Sequence, residues 1–169
     1  MRAYAGFLLT LPMLSACAAT PSYRHEVANS PVFSPIAFFG GDTVGEGSLK
    51  IDLLHVRPVH VVGHGQIAAD GTLTLVQHVR EGEKPERLRT WHIRPIGGDR
   101  YTGTLSDAVG PVHVESHGNA LHIAYAAKGG LRIEQWLFLK PGGQVATNHL
   151  VVRKLGIRIA ALNETISRR

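Results

Sequence analysis

Cysteine is nearly absent from this 169-residue chain, which has Cys17 and no other. A lone thiol excludes an internal disulfide and leaves no second thiolate for a metal site. Long apolar runs are also missing. The longest apolar run, Ala3 to Leu14, is about a dozen residues, short of the ~20 that span a bilayer as a helix. Low-complexity tracts and internal repeats are absent, and so is any Gly-x-Ser-x-Gly elbow that would present a nucleophilic serine. Gly45-Glu46-Gly47 is too short, and too strand-like in context, to cradle a dinucleotide phosphate. No segment between Ile36 and Arg153 shows a sustained helical period with caps, so an α/β architecture is excluded.

What is present first concerns address. The run from Ala3 to Leu14 has the length of a signal-peptide core. It ends in Leu14-Ser15-Ala16-Cys17, which resembles a bacterial lipobox. The resemblance implies cleavage before Cys17 and lipidation of its thiol. Several acyl chains would hold the protein on a membrane where one would not. Ala18 follows the cysteine in place of the aspartate that retains many lipoproteins at the inner membrane. The expected location is therefore the bacterial envelope, at the outer membrane facing the periplasm. The formal charge of +5 is spread over scattered cations. An exported chain is a poor candidate for nucleic acid, whereas anionic lipid head groups suit such cations.

The organisation expected is a signal peptide over 1–16, a lipidated cysteine and flexible tether over 17–35, and one domain over 36–169. The tether carries Pro21, Pro31 and Pro35, with Phe33 as a residue that could pack near its end. Within the domain, short alternating runs are punctuated about every 10 to 15 residues by turn signals, among them Asp70-Gly71, Gly97-Gly98, Gly118-Asn119, Gly129-Gly130 and Gly142-Gly143. Such pairs tolerate the positive φ of tight hairpin turns. The pattern predicts an all-β antiparallel meander closing into a barrel, which removes exposed edges. Only Ile157 to Leu162 reads equally well as a short helix. Pro58 marks an edge, a strand start or a bulge. The pairs Gly45/Gly47 and Gly63/Gly65 each point to one face, giving either curvature or room for a ligand.

Several segments together resemble a family of bacterial lipoproteins catalogued as domain of unknown function 3833. They are Phe38-Phe39-Gly40, Thr90-Trp91-His92-Ile93, Asp99 to Gly103, Asp107-Ala108-Val109-Gly110, Gly118-Asn119-Ala120, Trp136, Asn148 and Lys154-Leu155-Gly156. The resemblance implies a lipid-anchored, lipocalin-like barrel. It also implies a lipid-related role, since members often sit near genes for fatty-acid or membrane-lipid modification. Where the family usually has two aspartates before a tryptophan and a methionine, this chain has Glu134-Gln135-Trp136-Leu137.

Histidines at 60 and 64, and at 113 and 117, are spaced for one face of a helix. On a strand they lie ~13 Å apart, too far to share an ion. No metal, cofactor or catalytic residue is expected. Asp107 and Glu134 are the polar candidates, able to carry protons only beside a histidine in a pocket. The aromatic residues are the stronger signal. Tyr125, Trp136 and Phe138, with Trp91 as core filler or wall, are the expected ligand-binding residues of a barrel that holds a fatty acid or lipid. The alternatives are a filled barrel that docks a protein partner and, further off, a weak lipid-acting enzyme.

Overall fold

In a computed structural model, residues 26–51 and 55–169 are described. One short helix, α1 (Pro35–Phe39), precedes ten strands. These are β1 (Gly41–Ile51), β2 (His55–Ile67), β3 (Leu73–Glu81), β4 (Arg87–Gly97), β5 (Arg100–Leu105), β6 (Val112–His117), β7 (Ala120–Ala127), β8 (Leu131–Leu139), β9 (Val145–Lys154) and β10 (Ile157–Arg168). Each strand pairs antiparallel with its sequence neighbours, and β1 pairs with β10 from Thr43↔Arg168 to Ile51↔Ala160. The result is the closed meander expected from the turn spacing. Gly71 and Gly118 take φ of +79° and +56° at their turns, which side chains with a Cβ rarely adopt.

The ambiguous segment from Ile157 is strand, registered against β9 with a bulge between Arg158 and Ala160. Pro58 lies inside β2, opposite Ser48, where β2 has run past the last residue of β3 it pairs with. Its missing N–H therefore falls at a local edge of β2, as expected for a proline in a strand.

Helix α1 is a single turn, too short for a periodic signal and marginal alone. The Ser34 hydroxyl caps it by accepting from Ala37 N, and Pro35 presets its first turn. Packing holds it: Pro35, Phe38 and Phe39 are buried at one end of the barrel. Phe33, with no exposed surface, meets Phe38 edge to face at 5.2 Å, and Phe38 meets Phe39 at 4.9 Å. This aromatic plug closes that end. A Cβ at Gly65 would fall on the Phe39 carbonyl, so glycine there is what lets the helix seat.

The stretch read as tether is fixed in its described part. Asn119 carries it: its Oδ1 accepts from Ala28 N at 2.6 Å, and its Nδ2 donates to the carbonyls of Glu26 and Leu139. Ser116 Oγ donates to the Phe33 carbonyl at 2.7 Å. Residues 26–34 thus strap the β6–β7 turn, and the ordered body begins before Ile36. Cys17, the leader and the rest of the expected tether lie outside the described residues.

Candidate functional site

The barrel is hollow. A cavity of about 510 Å³ runs from Pro35 and Phe39 at the plugged end to Glu81, Arg87, Asp107 and Lys128 at the other. Lys128 and Arg87 are exposed, so the cavity opens at that end. Its wall is mostly aliphatic, with Leu73, Leu75, Val79, Ile123, Ile133 and Leu150 among its members.

Polar residues interrupt this wall on six strands. Each sits in the inward phase, flanked there by apolar residues except for Arg89, which lies between Arg87 and Trp91: Gln77 on β3, Arg89 on β4, Tyr125 on β7, Gln135 on β8, Asn148 on β9 and Glu164 on β10. Arg89 is the hub. Its Nη2 donates to Tyr125 Oη at 2.9 Å, and its guanidinium lies over the Trp91 ring at 5.2 Å. Its Nε stands 2.9 Å from Asp107 Oδ2, a contact off the N–H line and hence an ion pair without an aligned hydrogen bond. Asp107 also accepts from Arg87 Nη1 at 2.7 Å. The Asp107 carboxylate thus sits between two guanidinium groups at the mouth, with Lys128 nearby on the same rim; Glu81, also there, is paired with Arg57 and Lys84, so a surplus of positive charge remains.

Deeper in the wall, Asn148 Nδ2 donates to Glu164 Oε2 at 2.9 Å and to Gln135 Oε1 at 3.3 Å. Burial pushes the Glu164 carboxyl up from its ordinary 4.5, against the opposing pull of Asn148 and the Arg89 charge. Gln135 Nε2 and Asn148 Oδ1 are buried without a partner. The glycines of β1 explain how a carboxyl fits here. A Cβ at Gly45 would fall on Glu164 Oε1, and Gly47 is opposite Glu164 in register. The room that Gly45 leaves is therefore taken by a side chain of the protein itself.

Of the residues expected from sequence, Tyr125 and Trp91 line the cavity, their rings edge to face at 5.8 Å, with Trp91 Nε1 donating to Gln77 Oε1. Trp136 and Phe138 do not. Tyr125 is registered opposite Ile133, and directly opposed residues share a face, so Ile133, Gln135 and Leu137 point inward. Trp136 and Phe138 therefore point out. Trp136 stacks on His122 at 5.1 Å, and Phe138 is tilted against His149. Glu134 shares their outward phase and is separated from the cavity by the sheet. Asp107 is at the mouth, engaged by arginines instead of a histidine. The paired histidines at 60 and 64, and at 113 and 117, are exposed, and His64 meets Asp42 at 2.6 Å.

The model of a family described as "Protein of unknown function (DUF3833)" matches residues 11–168. The chain belongs to this DUF3833 family. No curated protein matches it in sequence. Among solved structures, this DUF3833 chain is similar to an S-type phycobiliprotein lyase, CPES, from Guillardia theta. That match has a TM-score of 0.64 at 7% identity and covers 79% of this chain and 90% of the other. It is also similar to a protein of unknown function from the DUF3598 family of Nostoc punctiforme. There the TM-score is 0.62 at 17% identity, over 82% of this chain and 50% of the other, so it spans half of that protein. At such identities the likeness is one of fold. Gln77, Arg89, Gln135, Asn148 and Glu164 of the DUF3833 chain were not singled out as site residues by sequence. The signal for Gln77, Gln135, Asn148 and Glu164 is a polar residue holding the inward phase between two aliphatic ones, whereas Arg89, between Arg87 and Trp91, carries no such signal.

Proposed function

We propose that this protein is a membrane-tethered carrier or receptor for an amphipathic small molecule, a fatty acid or a related lipid, held in the barrel with its polar end at the mouth. The observation that carries this reading is the cavity itself, mostly aliphatic along its wall and cationic at its opening. Arg87, Arg89 and Lys128 there outnumber Asp107 and Glu81, the latter already paired with Arg57 and Lys84, and suit a carboxylate or phosphate. At ~30 Å³ for each water-sized group, the space holds roughly 17 non-hydrogen atoms, the size of a long-chain fatty acid. Glu164 supports the same polarity. A carboxyl with a raised pKa is neutral over more of the pH range and does not repel an anion.

The tether is the lipidated Cys17 implied by the lipobox-like Leu14-Ser15-Ala16-Cys17, and the address is the periplasmic side of the envelope. The fold likeness to the phycobiliprotein lyase supports a barrel able to handle a small molecule, and supplies neither its identity nor a reaction.

Native mass spectrometry tests the reading. The delipidated chain, given a sixteen-carbon fatty acid, is expected to carry one copy, and Val61→Trp, which takes up part of the lumen, is expected to carry markedly less of it. A wild-type chain that takes up no fatty acid under these conditions would sink the proposal. So would a Val61→Trp chain that binds as well as the wild type.

A further inference from the structure

The outer surface at the open end carries an arrangement that the cavity does not use. Arg132 on β8 is registered directly opposite Arg153 on β9, and Arg153 is directly opposite Arg158 on β10. Like charges opposed across strands repel. None of the ion pairs of the described residues reaches this row. Lys154 extends it to the β9–β10 turn. At the tip of that turn Leu155 is 93% exposed, followed by Ile157 at 69%. Leu155 holds a φ of +51°, so a bulky apolar residue occupies a left-handed position that a polar or glycine turn would fill at less cost. Val56, Leu88 and Val109, which stand near the other turns of the same end, are also exposed.

We infer that the mouth of the barrel docks on an anionic bilayer surface, with Leu155 and Ile157 inserted among the lipids and the arginine row against their phosphates. Charge complementarity selects an anionic partner. The apolar tip selects a bilayer over a soluble polyanion or a nucleic acid, which offer it nothing to enter. The position has a functional consequence. A lipid leaving the membrane would meet Arg87, Arg89 and Lys128 without crossing water. The inference extends the proposed function but does not depend on what fills the cavity.

The test uses the full chain bound to vesicles of phosphatidylcholine, with or without phosphatidylglycerol, whose acyl chains are brominated to quench tryptophan. Leu155→Trp is expected to be quenched well beyond the background from Trp91 and Trp136, and Asp70→Trp, at the plugged end, is expected not to be. With Lys154→Gln and Arg158→Gln added to Leu155→Trp, the docked-to-undocked ratio on anionic vesicles is expected to fall about fivefold per cation removed. Circular dichroism confirms that each variant is folded. Equal quenching at positions 70 and 155, or none at 155, would overturn the inference. So would a shift to dimers on light scattering without quenching, which would make the tip a contact between copies. A chain that docks by its tip yet carries no fatty acid in native mass spectrometry would keep this inference and remove the proposed ligand.

Discussion

Lengthening the acyl chain of a candidate ligand gives the most quantitative check on the cavity. Each methylene moved from water into the aliphatic wall contributes ~0.8 kcal/mol, which is about a fourfold gain in affinity at ~1.4 kcal/mol per decade. From eight to sixteen carbons the gain is roughly 6 kcal/mol, or between four and five decades, as an upper bound for complete burial. The gain must stop when the space is full. With about 510 Å³ available, the plateau falls near 17 non-hydrogen atoms at ~30 Å³ each. Val61→Trp, which adds about seven atoms to the lumen, is expected to move the plateau down by a similar number. Isothermal titration calorimetry, below the aggregation limit of each acid, reads both quantities. An affinity indifferent to chain length would refute burial in the barrel. An affinity that keeps climbing beyond twenty carbons would refute the cavity as the limiting volume.

Two further outcomes follow from the polar groups. The Glu164 carboxyl, raised by burial, binds its proton to higher pH in the folded chain than in the unfolded one. Its contribution to stability is therefore complete below its ordinary 4.5 and is lost as pH rises through the folded value, at up to ~1.4 kcal/mol per pH unit. Relative to wild type, Glu164→Gln is expected to gain stability above about pH 5 and none at pH 4, measured by urea unfolding. A difference that is flat across pH, or opposite in sign, would contradict this account of the site. Asn119→Ala strips partners from Ala28 N and from the carbonyls of Glu26 and Leu139. At ~1–3 kcal/mol for each polar group left buried and unpaired, and less for the exposed Ala28, a total loss of about 2–4 kcal/mol is expected. An unchanged unfolding midpoint would mean that the strap is not a structural part of the barrel.

The strand meander was legible because its punctuation has a steric cause. Asp70-Gly71 and Gly118-Asn119 sit where the backbone takes positive φ, and Thr72 N donates to Asp70 Oδ1 to close the first of these turns. The facing of β8 was not legible, since both phases of Leu131–Leu139 end in apolar residues. Alternation cannot choose between Leu137-x-Leu139 and Trp136-x-Phe138, and the choice is made by register with Tyr125. The inner polar residues were hidden by the expectation that a barrel interior is apolar. The strap was hidden because Ala18 to Pro35 has the composition of a linker, while its hold on the barrel comes from distant side chains, Asn119 and Ser116. Gly45 and Gly47 were read as curvature or ligand space. Their role became clear only when Glu164, far away in sequence, was found against them.

The size of the void bears on which class of function the barrel has. Residual cavities left by deleting core side chains destabilise proteins by ~24 cal/mol per Å³. On that scale an empty, dry space of about 510 Å³ would cost roughly 12 kcal/mol, comparable to the whole stability of a typical domain. A barrel whose only task was to present its outside would be more stable with larger side chains at Val59, Val61, Val79 or Ala127, all of which border the space. The proposed function gives the interior an occupant instead, water in one state and cargo in another. Water entering an apolar cavity needs two to four polar partners. Gln77, Arg89, Tyr125 and Asp107 supply them toward the mouth, where Lys128 keeps the opening wet. The same groups that hydrate the free barrel would meet the polar end of an incoming molecule, while the aliphatic depth sheds its water to the acyl chain. Hollow volume and interior polar residues, each a cost to folding on its own, have one common use in a barrel that exchanges solvent for an amphipathic ligand.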